Sequence, residues 1–194
     1  LGLLLADLCL GQSHHLKPCV VSTVVSTPAL EALVEKRGGR LERTLTGFKW
    51  LCRAALEQEN FVFAYEEALG YCLAGPPGST GVMDKDGISA LTTVARLVSS
   101  CGGGVALAQR LLGLYREFGL WGSFGHSRRF VGQDAALEME QLLEGLREQP
   151  VSELVGMKVV TVKDYAIGAE ARPWYLGEQD LIQLDLRATD PQSG

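Results

Sequence analysis

Residues 61–87 read FVFAYEEALGYCLAGPPGSTGVMDKDG. The run opens with an apolar, aromatic stretch over 61–65, whose residue types suit a buried strand. Two adjacent carboxylates, Glu66 and Glu67, follow it and enter a turn closed by Gly70. A Gly/Pro-rich run comes next, then Asp84-Lys85-Asp86, which opens a helix with Asp86 at its N-cap. Carboxylates and a lysine at the carboxyl end of a strand suit a polyhydroxylated, phosphorylated ligand: Glu accepts hydroxyl hydrogen bonds and Lys answers a phosphate. Adjacent side chains rarely face one substrate atom together, so hydroxyl binding by one acid is favoured over paired acid–base work. The bland alternative is a solvated turn.

Working outward, strand and helix alternate. Residues 20–25 are a β-branched run that reads as a buried strand. Thr27-Pro28 supplies an N-cap and a first-turn proline, Leu30, Leu33 and Val34 form an apolar stripe, and Gly38-Gly39 ends it. A short strand over 41–44 leads to a helix near Gly47 with Phe48, Leu51, Cys52 and Ala55 on one face. Beyond Asp86, Ile88, Leu91, Ala95 and Val98 mark an inner helical face; after a glycine break, Leu107, Leu111, Leu114 and Phe118 mark the next. Residues 119–130 read as a loop or irregular hairpin. A helix over 134–148 turns Met139, Leu142, Leu143 and Leu146 inward, and 158–162 is a strand candidate. Residues 168–178 read as a linker, and 182–187 alternate as a half-exposed strand. Such alternation predicts an α/β sandwich with a mainly parallel sheet, its strand-to-helix loops on one edge. Thr46-Gly47, residues 66–70 and Lys85 all precede helices and are expected to converge there. For Thr46-Gly47 the competing reading is an ordinary helix cap.

The composition narrows the partners. The 194 residues carry 46% hydrophobic and 21% charged residues and a net charge of -5, enough apolar material for a full core. No dense Lys/Arg block is present, which argues against nucleic acid or an anionic membrane. The five cysteines are odd in number and form no CxxC pair, so free thiols in a reducing cytosol are expected. His14, His15 and His126 lack metal-ligand spacing, and the twelfth position from Asp84 is Ala95, which rejects an EF-hand. GPPGSTG and CGGG match no phosphate-loop motif and read as turns. The opening LGLLLADLCLG has no basic flank and contains Asp7; Leu1, Leu4, Leu5 and Leu8 share one face, so a buried amphipathic helix is expected rather than a signal segment.

Taken in order, VVSTVVST, TLTGFKW, FAYEEALGY and DKDGISA resemble the α-D-phosphohexomutase superfamily of phosphoglucomutases and phosphomannomutases, over roughly residues 1–165. The resemblance implies a three-layer α/β/α sandwich with a mixed, mostly parallel four-stranded sheet. It further implies a domain 2 end or connection over 1–15, domain 3 over 16–167, and a linker with the first strand of domain 4 over 168–194. Glu66 matches the sugar-binding glutamate, Thr46 and Gly47 the Thr-Gly pair lining the sugar site, and Lys85 the lysine of the Lys-Asp-Gly motif. Glu67 and Gly70 complete the loop, and Ala68 stands where many phosphoglucomutases carry Ser. The family's phosphoserine, magnesium loop and phosphate loop are absent from this stretch, so no catalytic or metal-binding residue is expected in it and the isolated chain is expected to be inactive. The parent is implied to be a cytoplasmic phosphotransferring isomerase that uses Mg2+ and a glucose 1,6-bisphosphate activator, with a phosphorylated sugar and its own other domains as partners. Alternatives are a phosphopentomutase, a sugar-bisphosphate synthase, or a non-catalytic sugar-phosphate-binding or assembly module.

Overall fold

The computed structural model describes residues 1–76, 79 and 81–188, which form two compact units that divide between Ser123 and Phe124. The first unit is built on a sheet of four strands: β1 (Cys19–Thr23), β2 (Arg40–Thr44), β3 (Phe61–Glu66) and β4 (Gly70–Leu73), in the order β2-β1-β3-β4. β1 runs parallel to both β2 and β3, and β4 is antiparallel to β3. Every residue of β1 and of β3 is buried. That is the signature of central strands covered on both faces, and it explains their unbroken apolar or β-branched character.

The winding places the helices. The crossover from β1 to β2 carries α2 (Ala29–Lys36), and the crossover from β2 back past β1 to β3 carries α3 (Phe48–Leu56). These two crossovers move in opposite directions across the sheet. Because both are right-handed, they lie on opposite faces. α3 accordingly packs on β1, β2 and β3, whereas α1 (Gly2–Gln12), α2, α4 (Gly87–Cys101) and α5 (Gly104–Phe118) share the core on the other side. Phe63, wholly buried, anchors that core beside Val20, Leu5 and Leu97. The three-layer α/β/α sandwich with its mixed, mostly parallel sheet is as expected.

Several local expectations differ from the structure. α1 is buried around most of its circumference, Leu4, Leu5, Ala6, Asp7, Leu8 and Leu10 included, while Leu1 is exposed. Its approach to the sheet is so close that a Cβ at Gly2 would collide with the Tyr65 ring. α1 residues Leu4, Leu5, Ala6, Leu8 and Leu10 form part of the first unit's core. α4 presents Ala90, Thr93 and Leu97 inward; Ile88 and Leu91 are exposed, Ala95 also, and Val98 is half-buried. This helix carries apolar residues on two stripes, and the one containing smaller side chains is the one that fits the core. β4 takes the fourth place in the sheet. Residues 158–162 instead fall in β6 (Met157–Asp164) of the second unit.

That second unit holds α6 (Ala135–Glu148) and a three-stranded antiparallel sheet, β5 (Glu153–Leu154), β6 and β7 (Ile182–Ala188). It takes in described residues on both sides of residue 167. α6 has no buried residue, and Met139, Leu142 and Leu146 are exposed. The stretch 168–178 is an ordered part of this unit. Two 3-10 turns, Ala169–Ala171 and Trp174–Leu176, are tied by Arg172, which donates to the carbonyls of Tyr165, Ile167, Leu176 and Gly177. The expected turn at GPPGSTG lies partly outside the described residues, as does the chain end after 188. Among the described residues no single helix is long and apolar enough to cross a membrane.

An ion network ties three helices of the first unit. Asp7 of α1, nearly inaccessible, accepts from Arg37 Nε at 2.8 Å and from Arg110 of α5 at 2.7 Å. Arg37, at the end of α2, also reaches Glu117, which Lys36 meets at 3.0 Å. Removing the buried partner of such a set leaves cations facing apolar surroundings. Both arginines reach solvent, so Asp7→Ala should cost about 2–3 kcal/mol, below the figure for a fully enclosed pair. Urea denaturation monitored by circular dichroism checks this; a midpoint equal to wild type would contradict the role given to Asp7.

Candidate functional site

The site grows from the end of β3. Glu66 is its last residue and pairs with Gly70, the first of β4, so residues 67–69 form a three-residue hairpin loop. Such loops end in a left-handed residue. Here that residue is Leu69, at φ 59, although glycine or asparagine would take the conformation with less strain. Leu69 is also largely exposed. A strained, solvent-facing position beside a buried acid marks a loop whose shape is fixed by its surroundings.

Glu66 is 8% exposed, and its Oε1 lies 2.6 Å from Lys85 Nζ. A buried carboxylate needs such a partner. Lys85 arrives from the segment before α4, where the Asp86 N–H donates to the Tyr71 carbonyl of β4 at 2.9 Å. Its ammonium also donates to the Ala68 carbonyl at 3.4 Å and sits 5.5 Å from the centroid of the Phe48 ring. The Lys85 side chain is 44% exposed, so one side of the ion pair opens to solvent. Gly70 is required by close approach: a Cβ there would lie 2.6 Å from the Phe48 ring and 3.0 Å from Lys85 Cε. Glu66, Lys85, Gly70 and Phe48 thus form one connected group at the carboxyl edge of the sheet.

Thr46 and Gly47 lie on the same edge, directly before Phe48. The strand they follow ends level with β1, Thr44 opposite Thr23. Gly47 is the N-cap of α3 at φ 121, a conformation few side chains permit. Thr46, one residue before that glycine, is exposed. Lys49 stacks 4.8 Å over the Trp50 ring. Glu67 turns to a different neighbour: its carboxylate accepts from Ser26 Oγ at 2.6 Å and from the Thr27 N–H at 3.3 Å, in the loop after β1. Asp86 caps α4 as expected, Oδ1 accepting from the N–H groups of Ile88 and Ser89.

Sequence reasoning assigned Phe48 only to the apolar face of α3, and it passed over Ser26 and Arg43. Phe48 serves both purposes, since the first turn of α3 reaches the strand ends; an aromatic directly after Thr-Gly was the available signal. A cavity of about 270 Å3 at the amino end of β3, bounded by Leu56, Glu59, Phe61 and Met83, is lined by none of the candidate residues. The sulfur chemistry is inert at the positions where burial dominates: it pushes the Cys9 and Cys19 thiols up to about 12. The edge therefore offers an acceptor carboxylate, a half-open ammonium and an aromatic wall.

Comparison with known proteins agrees with the fold. The family model described as phosphoglucomutase/phosphomannomutase, alpha/beta/alpha domain III, matches residues 1–118. A phosphomannomutase of Mycoplasma pneumoniae is 27% identical over 182 residues, 91% of this chain and 32% of its own length. A phosphopentomutase of Mus musculus is 36% identical over 113 residues, 56% of this chain and 17% of its own. A solved structure from Thermus thermophilus, titled as a phosphomannomutase, superposes with a TM-score of 0.57 at 20% identity, covering 84% of this chain and 30% of that one; at that identity the likeness concerns the fold. The chain thus spans about a third or less of the curated relatives it matches. It belongs to the phosphoglucomutase/phosphomannomutase family, in which it contains domain III.

Two outcomes test the geometry. Gly70→Ala should displace Phe48 and Lys85 together, lowering the melting temperature and moving the Phe48 ring signals; unchanged ring signals would refute the close approach. Hydrogen bonds from Ser89, then Ile88, hold the Asp86 carboxyl below its ordinary range. A depressed folded-state value means the cap stabilises fully above that range and weakens as pH falls through it. The stability difference between wild type and Asp86→Ala should shrink in acid, and a difference constant with pH would contradict the cap.

Proposed function

We propose that in a protein of this family the chain is the sugar-reading domain, with Glu66 accepting hydrogen bonds from vicinal hydroxyls of a phosphorylated sugar. The observation that supports this most is the Glu66–Lys85 pair, buried on one side and open on the other. A buried acid whose open side faces a cleft edge is free to exchange its lysine for hydroxyl donors. The released ammonium then has an anionic group of the ligand to meet. The start of α3 at Thr46 and Gly47 turns backbone N–H groups toward the same edge, suited to an oxygen of the same ligand. Gly70 keeps the floor of the site low enough for the approach.

In this reading the parent is a cytoplasmic phosphotransferring isomerase that moves phosphate between two positions of one sugar through a phosphoserine and a bisphosphate intermediate. The sugar must then present its hydroxyls in two orientations, and a carboxylate with two equivalent oxygens accepts either. The phosphoserine, the Mg2+ site and the phosphate loop belong to other domains of the parent, which are the chain's partners, and glucose 1,6-bisphosphate is the activator. Among the described residues no three His, Cys, Asp or Glu side chains converge to hold a metal.

A pentose phosphate is the second reading. Ala68 supplies no hydroxyl where many phosphoglucomutases carry Ser, and a phosphopentomutase is among the relatives. Fewer polar partners in the loop suit a ligand with fewer hydroxyls. Hydrogen bonds to a charged group contribute about 1.5–3 kcal/mol each. Glu66→Ala should therefore weaken sugar-phosphate binding by at least about tenfold. Calorimetric titration of wild type and variant with glucose 1-phosphate and ribose 1-phosphate checks this. Equal affinities for the two proteins would remove Glu66 from the site.

A further inference from the structure

We propose that Glu67 is a positioning residue: it latches the loop after β1 to the loop after β3 and so holds Glu66 in place for the ligand. The role given to Glu66 rests on the sugar-reading function above.

The latch answers a gap in the backbone. β1 and β3 pair in parallel as far as Ser22 and Tyr65. Beyond that pair the chain leaves β1 toward α2 and leaves β3 toward β4, on opposite sides. This is the switch point at which a parallel sheet opens a crevice. Ladder hydrogen bonds end there, so side chains must hold the two loops together.

They do so in one connected set. Ser22 Oγ donates to the Tyr65 carbonyl at 2.8 Å, the last tie before the gap. Ser26 Oγ then donates to Glu67 Oε2 at 2.6 Å, and the Thr27 N–H donates to Oε1 at 3.3 Å. Since the Ser26 proton goes to Glu67, the 2.9 Å bond between Thr23 and Ser26 hydroxyls runs from Thr23 to Ser26. Thr23 and Ser26 are both buried, which makes these bonds costly to lose. From β2, Arg43 donates to the carbonyls of Thr23, Ser26 and Thr27 at 2.9, 3.5 and 3.3 Å. An anion thus engages the donors of the β1 loop while a cation engages its acceptors, and the loop is fixed from both sides.

Glu67 is the point where this fixed loop meets the hairpin 67–69. Residues 67–69 are exposed, and Lys85 reaches the Ala68 carbonyl only at 3.4 Å. Leu69 holds a left-handed conformation there that nothing intrinsic to leucine favours. The neighbouring acids therefore divide the work. Glu66 faces Lys85 and the ligand, while Glu67 faces Ser26 and sets the loop from which Glu66 projects.

The test compares Ser26→Ala, Glu67→Ala and Glu67→Gln with wild type. The Glu66 carboxyl and Lys85 ammonium resonances are read first in the free protein, then affinities for ribose 1-phosphate and glucose 1-phosphate are measured. Ser26→Ala and Glu67→Ala should both shift the Glu66 resonance without ligand, and both should weaken binding by about three- to tenfold. Glu67→Gln keeps an acceptor oxygen for Ser26 and should recover most of the affinity. Loss of binding in Glu67→Ala with full binding in Ser26→Ala would make Glu67 a direct ligand contact and overturn the latch. Unshifted Glu66 resonances in both alanine variants would overturn it as well. Should wild type bind neither sugar phosphate, the sugar-reading function fails, while the ligand-free resonances still decide the latch. Ser26→Ala and Glu67→Gln keep the comparison available if Glu67→Ala does not fold.

Discussion

The right-handedness of the crossovers constrains everything at the carboxyl edge of the sheet. Two crossovers that run in opposite directions across β1 must lie on opposite faces. That places α3 on the face opposite α1 and α2 and opens a crevice between the ends of β1 and β3. The hairpin from β3 to β4 then brings Gly70 under the first turn of α3, where Phe48 lies. The topology delivers a strand-end carboxylate, an aromatic ring and a helix start to one rim, and the segment before α4 adds Lys85.

Charge is buried sparingly in the first unit, and Asp7 and Glu66 are each paired across elements that are distant in sequence. Asp7 ties α1 to α2 and α5, whereas Glu66 meets Lys85 from beyond β4. The two cases differ in what remains open. Asp7 is enclosed by two arginines that occupy both of its oxygens, which suits a permanent strut. Glu66 has one oxygen on a lysine that is nearly half exposed, which suits a partner that leaves when a better donor arrives. Two acids of similar burial therefore point to structure in one case and to binding in the other.

Much of the first unit was legible in the sequence because its signals are local. The apolar runs of β1 and β3, the proline before α2, the glycines after it and the Asp86 cap each act within a few residues. The sites of misreading share the opposite property. α4 has two apolar stripes, and only the space left by α1 and α5 selects the one with Ala90, Thr93 and Leu97. β4 is short and follows a strained turn, so its strand character comes from pairing with β3 rather than from composition. The organisation after Ser123 was hidden for the same reason, because Arg172 and its carbonyl partners close a stretch whose Pro and Gly content suggests a linker. At the candidate site, the convergence of Glu66, Gly70 and Lys85 on one edge was readable from residue order. The division of labour between Glu66 and Glu67 was not, since it depends on Ser26, forty-one residues earlier.

The central claim is that the Glu66–Lys85 pair is the ligand-responsive element of this edge. Following the Lys85 ammonium and Glu66 carboxyl resonances during addition of glucose 1-phosphate, ribose 1-phosphate and inorganic phosphate tests it most directly. The account predicts that both resonances move with a sugar phosphate, that Thr46 and Gly47 amides move with them, and that the response depends on the sugar. Resonances that respond identically to all three additions, or to none, would contradict it.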